Sequence, residues 1–322
     1  MTPKSMNRRE HLLALGAYTS SLTLCRTAHA KFTSPSALSV QASSLQWVTP
    51  EVRGQGLSFH TFPSKAVGTE VSFHIYVPSA YTNVEARRFP VVYWLHGSGG
   101  GLNGIARLSN RADRAILAGK VPAHLIVFVN GLSLGMYVDW ANGKAPLETI
   151  IIRELLPHID TNWRTIATRD GRLLDGFSMG GYGAARLGFR YPKLFRHVSI
   201  MGAGPMQESL DSTPRASGKN AEDLLNEVYG GDQAHFKRLS PHHYAEQNSA
   251  VLSQSSHLRL VIGDQDETFE NNDRFHAQLL RLGIPHDWII LPGIGHNPMH
   301  VLRALGDQHW DFYRKAFDLA AA

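Results

Sequence analysis

Cysteine is almost missing: the 322 residues hold one, Cys25. It lies in the first thirty positions, so the chain beyond them can form no disulfide and offers no cysteine nucleophile. Leu24 stands directly before it, where a lipid-anchored cysteine wants a small residue. Long apolar runs are missing too. No stretch reaches the eighteen or so residues needed to span a bilayer, so the sequence predicts no stable membrane anchor. Charge is nearly balanced. The net +5 includes Lys4, Arg8, Arg9 and Arg26 against Glu10 near the N-terminus, which leaves about +2 for the rest. With no Lys/Arg stripe and no RNA- or DNA-binding motif, a nucleic-acid partner is excluded. There is no internal repeat and no low-complexity tract.

What is present begins with a targeting pattern. Arg8-Arg9 precede the apolar stretch Leu12-Leu13-Ala14-Leu15-Gly16-Ala17, and Ala28-His29-Ala30 supplies an A-x-A cleavage site. Residues 1–30 therefore read as an export signal, with paired arginines that loosely resemble a twin-arginine signal. The expectation is a periplasmic or secreted protein. Residues 31–50, rich in Ser, Ala and Thr, read as a linker, and 51–322 as one catalytic domain.

The remainder alternates strand and helix patterns. Two β-rich runs cover 57–62 and 71–77; the second alternates and stops at Pro78, which suits an antiparallel sheet edge. Continuous apolar runs at 90–97 and 125–130 are typical of strands buried on both faces. A helix is expected over about 103–118. Another runs from Pro146 to Trp163, with Leu147, Ile150, Ile151, Leu155 and Ile159 on its apolar face. Short strands follow at 197–202, 258–263 and 288–291, with helices at 268–283 and 297–320. This pattern predicts an α/β class and a mostly parallel, doubly wound sheet. The polar, Gly/Pro-interrupted stretch 204–256 reads as a partly helical excursion over the active site that helps shape a pocket. His242-His243 within it read as surface polar sequence.

The chemistry centres on Gly176-Phe-Ser178-Met-Gly180, a G-x-S-x-G pentapeptide between an apolar run and a Gly/Ala-rich helical pattern. That is the context of a nucleophile elbow, whose turn is so tight that the flanking glycines must be bare. A nucleophilic serine needs a base and a group to orient it. Downstream, and in the expected order, Asp264, Asp266 and Glu267 follow one strand and His296 follows the next. Asp266, three residues past Gly263, is the chosen acid, with Asp264 and Glu267 as alternatives. The oxyanion of the intermediate needs amide donors. The Met179 N–H directly after the nucleophile is one. The Gly97-Ser98-Gly99-Gly100-Gly101 loop offers the other, with Ser98 as donor and Gly97 beside it. A phosphate loop is excluded because no Gly-Lys-Ser/Thr ending follows. His296 and His300 are spaced i, i+4, but the H-E-x-x-H glutamate is missing, so no metal is expected.

Taken together, Trp94-Leu-His96-Gly97, Tyr137-Val-Asp139-Trp140, Glu148-Thr149 with Glu154-Leu155, the elbow with Gly181-Tyr-Gly183, Tyr191-Pro192-x-x-Phe195, Gly263-x-x-Asp266 and Gly295-His296 resemble the esterase D / putative esterase family. The resemblance covers roughly 55–315. It implies an α/β-hydrolase fold, the triad Ser178–Asp266–His296, oxyanion donors at Ser98 and Met179, and no metal or cofactor. It also implies that Asp139 and Trp140 lie beside the acyl site. That family includes feruloyl and acetyl-xylan esterases, S-formylglutathione hydrolase and mycolyltransferases of the antigen 85 type. The resulting expectation is an exported serine carboxylesterase acting on small-molecule or polysaccharide-linked esters. Transacylation, S-formylglutathione-type thioester hydrolysis and a non-catalytic binding protein on the same scaffold are the alternatives. Export counts against the cytosolic thioesterase task.

Overall fold

In the structure of the protein, a computed structural model, residues 45–83, 87–212 and 218–321 are described. The expected signal and all but the last six residues of the expected linker lie outside them. Those last six belong to the folded unit. Asn130 Nδ2 donates to the carbonyls of Gln46 and Trp47, at 3.0 and 2.9 Å, and the Thr49 N–H donates to Ser72 Oγ at 2.9 Å. The boundary therefore falls near 45 rather than at 51, because the backbone groups of 46–49 find partners on the sheet.

Eight strands form one sheet: β1 Leu57–Ser64, β2 Thr69–Tyr76, β3 Val91–Leu95, β4 Leu125–Val129, β5 Arg172–Phe177, β6 His197–Met201, β7 His257–Gly263 and β8 Asp287–Leu291. Their order is β1-β2-β4-β3-β5-β6-β7-β8. β2 runs antiparallel to both its neighbours and the pairs from β4 to β8 are parallel. The sheet is thus mostly parallel, as the alternating pattern predicts. β2 is not its edge, however. The hairpin turn through Gly68 (φ 66°) folds β1 onto the outside, and β1 carries Pro63, whose missing N–H an edge strand tolerates.

The parallel strands are buried on both faces. Side chains alternate sides along a strand, so Val91, Tyr93 and Leu95 of β3 enter one core while Val92 and Trp94 enter the other. In β4, Leu125, Val127 and Val129 divide from Ile126 and Phe128 in the same way. This is why these runs show no polar alternation in sequence.

Twelve α-helices flank the sheet among the described residues: α1 Ala80–Asn83, α2 Leu102–Leu117, α3 Leu147–Thr149, α4 Leu156–Asn162, α5 Met179–Arg190, α6 Gly218–Tyr229, α7 Gln233–Arg238, α8 Pro241–Gln247, α9 Ser249–Ser255, α10 Phe269–Arg281, α11 Pro298–Leu305 and α12 Asp307–Ala321. The single helix expected over 146–163 is α3 and α4 joined by a π-helical segment, Ile150–Leu155. Pro157 has no N–H to donate, and in an ordinary α-turn its ring would meet the carbonyl of Arg153; the wide turn lies directly before it. All five expected apolar residues of this helix are buried. The expected closing helix is two, broken at Gly306 (φ 54°).

The excursion contains α6 to α9, and it is moored to α5. Arg186 Nε donates to the Leu239 carbonyl at 2.8 Å and Asn248 Nδ2 to that of Phe189 at 2.8 Å. Ser240-Pro241 is a helix start, with Ser240 Oγ accepting from the His243 N–H and Pro241 in the first turn, where no donor is needed. His242 is not surface sequence: its ring nitrogens meet Gln278 Oε1 and the Met206 carbonyl. No helix among the described residues is long and apolar enough to cross a membrane.

One buried group gives the fold a pH dependence. His124 is fully buried against Tyr313 and Phe317, and its Nδ1–H donates to the Pro122 carbonyl at 2.9 Å. Burial pushes its pKa down to about 4, the carbonyl acting in the opposite direction. Between the unfolded value of about 6.5 and that value, the unfolded chain binds a proton that the folded chain refuses. Stability is therefore lost as pH falls through this window. At pH 5 the loss relative to pH 7 is about 2 kcal/mol from this group. Urea unfolding at the two pH values should show a smaller pH difference for His124→Phe than for the natural protein. An identical difference in both would refute the assignment.

Candidate active site

Strand β5 ends in Phe177 and α5 starts at Met179, which leaves Ser178 alone to make the turn. Its φ of 60° and ψ of −122° are strained for a residue with a side chain. The two glycines answer different neighbours. A Cβ on Gly176 would stand 2.3 Å from the Gly180 carbonyl oxygen, the opposite arm of the elbow. A Cβ on Gly180 would stand 1.9 Å from the carbonyl of Leu95, so this glycine is required by β3 next door.

The structure brings the three residues expected from widely separated stretches into one line. Ser178 Oγ lies 2.9 Å from His296 Nε2, and His296 Nδ1 lies 2.8 Å from Asp266 Oδ2. The carboxylate only accepts, so Nδ1 carries the proton and Nε2 presents its lone pair to the hydroxyl. Asp266 is 4% exposed. Its other oxygen accepts from the N–H and hydroxyl of Thr268, at 2.9 and 2.8 Å. Burial alone would push its pKa up. The bonds from His296 and Thr268 outweigh that and hold it below the ordinary carboxylate range, so it stays ionised. The His296 ring rests 4.7 Å from that of Phe177.

The alternative acids fall elsewhere. Asp264 Oδ1 accepts from the Gly293 N–H at 2.7 Å, which ties down the loop that leads to His296. Glu267 is exposed. It does form, with Asp266 and His296, a group whose ligand atoms lie within 4.8 Å of one another. Both His296 nitrogens and Asp266 Oδ2 are already in the hydrogen-bonded line, and His300 belongs to no such group among the described residues.

The glycine loop reaches the serine. A Cβ on Gly97 would be 3.2 Å from Ser178 Cβ, so the bare backbone stands beside the hydroxyl. Ser98 is exposed next to it. Gly99, Gly100 and Gly101 all have positive φ, and the Gly99 N–H donates to the Ser133 carbonyl at 2.9 Å. His96 is buried beneath. Its Nδ1 lies 2.7 Å from the Gly97 carbonyl, and Nε2 accepts from the Gly131 N–H at 3.0 Å. Those partners fix it as the Nδ1–H tautomer, and burial lowers its pKa. The Met179 N–H heads α5, where no intrahelical carbonyl can meet it.

Asp139 and Trp140, expected beside the acyl site, have hydrogen-bond partners of their own. Both Asp139 oxygens are taken by Thr149, from its N–H at 2.9 Å and its hydroxyl at 2.6 Å. Trp140 is buried in the core, and its Nε1 donates to the Gly135 carbonyl. Asp139 thereby ties the segment before α3 to Thr149, the last residue of that helix. Two further residues bear on the site without having been expected to. One is Tyr137, at the head of the same motif. The other is Asp175, fully buried three residues before Ser178, which accepts from the Tyr313 hydroxyl at 2.7 Å and ties α12 under the elbow. Only the aspartate's odd place in an apolar strand signalled it.

An eight-stranded, mostly parallel sheet with a serine at a strained strand–helix turn, and an imidazole and a carboxylate on loops after later strands, defines an α/β-hydrolase. A solved ferulic acid esterase has the same fold. It is 24% identical, with a TM-score of 0.69 over 81% of this chain and 98% of that one. Residues 64–317 match the family described as "Putative esterase", and the chain belongs to that family. Among its relatives, Esterase Rv1288 of Mycobacterium tuberculosis is 28% identical over 263 residues, 74% of this chain and 55% of that protein. The endo-1,4-beta-xylanase/feruloyl esterase of Xylanibacter ruminicola is 29% identical over 171 residues, 48% of this chain and 23% of that protein. The chain thus spans little more than half the length of the first of these relatives and less than a quarter of the second.

Proposed function

We propose that the protein is a serine carboxylesterase working through an acyl-serine intermediate. The observation that carries this is the continuous line from Asp266 through His296 to Ser178 Oγ, at 2.8 and 2.9 Å. Ser178 Oγ attacks the ester carbonyl carbon as its proton passes to His296 Nε2. The resulting oxyanion is met by the Met179 and Ser98 N–H groups. Collapse breaks the bond to the alcohol oxygen, which takes the proton from Nε2. Water then enters, gives its proton to Nε2, and attacks the acyl carbon; Ser178 leaves with that proton and the acid departs. Asp266, held ionised, stabilises the imidazolium formed twice in the cycle.

The substrate class follows from the relatives' names and from the targeting pattern. A feruloyl esterase among the curated relatives and a ferulic acid esterase among the solved structures support feruloyl esters as substrates, and acetyl esters of plant cell-wall polysaccharide belong to the same reading. Arg8-Arg9, the apolar stretch after them and Ala28-His29-Ala30 support export to the periplasm or beyond, which cell fractionation checks. Purified protein is expected to turn over p-nitrophenyl acetate and to release ferulate from methyl ferulate. Products should be the free acids even with an added alcohol. A protein inert toward every ester would defeat the proposal. Transfer of the acyl group to the alcohol in preference to water would replace hydrolysis by transacylation.

A further inference from the structure

The segment between β4 and α3 is unusual in its backbone. Leu132, Met136 and Tyr137 have φ of 55°, 54° and 54°, and Ser178 is the other non-glycine residue with positive φ among those described. Each such residue costs on the order of 1 kcal/mol or more, and strain of this kind persists where surrounding contacts over-determine it. Tyr137 makes several such contacts. Its carbonyl accepts from Nη1 of Arg186, a fully buried residue of α5, at 2.9 Å. Its ring lies so close to the same helix that a Cβ on Gly183 would be 2.4 Å from Cδ2, and one on Gly131 would be 2.5 Å from the hydroxyl. The hydroxyl donates to the carbonyl of His96 at 2.8 Å. Burial pushes its pKa well above 10, so the proton stays to be donated.

That last bond fixes a peptide plane. In a trans peptide the C=O and N–H point in opposite directions. Holding the His96 oxygen therefore turns the Gly97 N–H away from Tyr137. The next unit is held in the same manner, since the His96 Nδ1–H holds the Gly97 carbonyl and so sets the direction of the Ser98 N–H. We propose that Tyr137 is a positioning residue, a strut that registers the 96–98 donor loop against the elbow helix so that the Ser98 N–H faces the oxyanion. This rests on the esterase reading above. The strut acts on the transition state only, because a ground-state carbonyl gains little from the hole, whereas losing an oxyanion donor outright costs roughly 10²–10³ in rate. Tyr137 loosens the donor without removing it, and the expected effect is smaller.

The test compares Tyr137→Phe with Tyr76→Phe. Tyr76 is also buried, and its hydroxyl donates at 2.8 Å, to Asp113 on α2. For Tyr137→Phe, kcat on p-nitrophenyl acetate should fall about tenfold with KM within about twofold, and the Ki of a trifluoromethyl ketone, which adds to the serine as an oxyanion, should rise by the same factor. Tyr76→Phe should leave all three unchanged per folded molecule. Gly183→Ala, which pushes the same ring and leaves the hydroxyl in place, should shift kcat and Ki in the same direction; it serves also if Tyr137→Phe does not fold. Equal kcat and Ki in Tyr137→Phe and the natural protein would overturn the strut and leave the esterase reading standing. Natural protein that neither turns over the ester nor binds the ketone would overturn both.

Discussion

Replacing Ser178 by Ala is expected to lower kcat for p-nitrophenyl acetate by on the order of 10⁵–10⁶. The hydroxyl that forms the acyl bond is gone, while the sheet, the donor loop and His296 remain. What survives is water attack on an ester held near the amide donors, a residual on the order of 10³–10⁴ over the uncatalysed reaction. Folding should survive, because alanine keeps the Ser178 Cβ in place and removes only the hydroxyl. His296→Ala should cost a comparable factor. Adding it to Ser178→Ala should cost little more, since base and nucleophile act on one proton. Stopped-flow acylation and steady-state rates on the three variants check this. A Ser178→Ala protein retaining more than about a hundredth of the natural rate, or losses that multiply in the double variant, would contradict the proposed line of attack.

The second large effect is expected at Asp266. In Asp266→Asn a side-chain amide can donate toward Nδ1 and favour the imidazole with its proton on Nε2. An N–H then faces the Ser178 hydroxyl in place of a lone pair. By this tautomer argument kcat should fall by about 10⁴, with the structure unchanged. Asp264→Asn is the internal control, because Asp264 meets the Gly293 N–H and not the imidazole. Its effect should stay within a few-fold. Should Asp264→Asn prove the more damaging change, the assignment of the orienting acid would be wrong.

Much of the fold was legible because its signals are local. A strand buried on both faces must be apolar throughout, and β3 and β4 are. The elbow was legible for the same reason, since its glycines and serine are neighbours in the chain. The errors share a different cause. The break at Gly306 and the wide turn before Pro157 were each marked by a residue, but a marker does not say whether the chain bends, ends or widens there. β2 was placed at the edge because its own pattern cannot reveal that β1 folds outside it. Which partners the polar atoms of Asp139 and Trp140 take is likewise not written in their own segment, since it depends on where Thr149 and Gly135 lie.

By itself the sequence determined the alternation of strands and helices, the bare turn at Gly176 to Gly180, and the order Ser178, Asp266, His296 along the chain. These follow from side-chain volume, backbone sterics and chain direction, all of which act between near neighbours. Only the tertiary structure decided which of Asp264, Asp266 and Glu267 reaches His296, that Gly180 is bare for the sake of Leu95, and that Tyr137 spans from the elbow helix to the carbonyl of His96. Those are close approaches between residues dozens of positions apart in the chain. They are set by how the layers pack, which no local pattern of residues encodes.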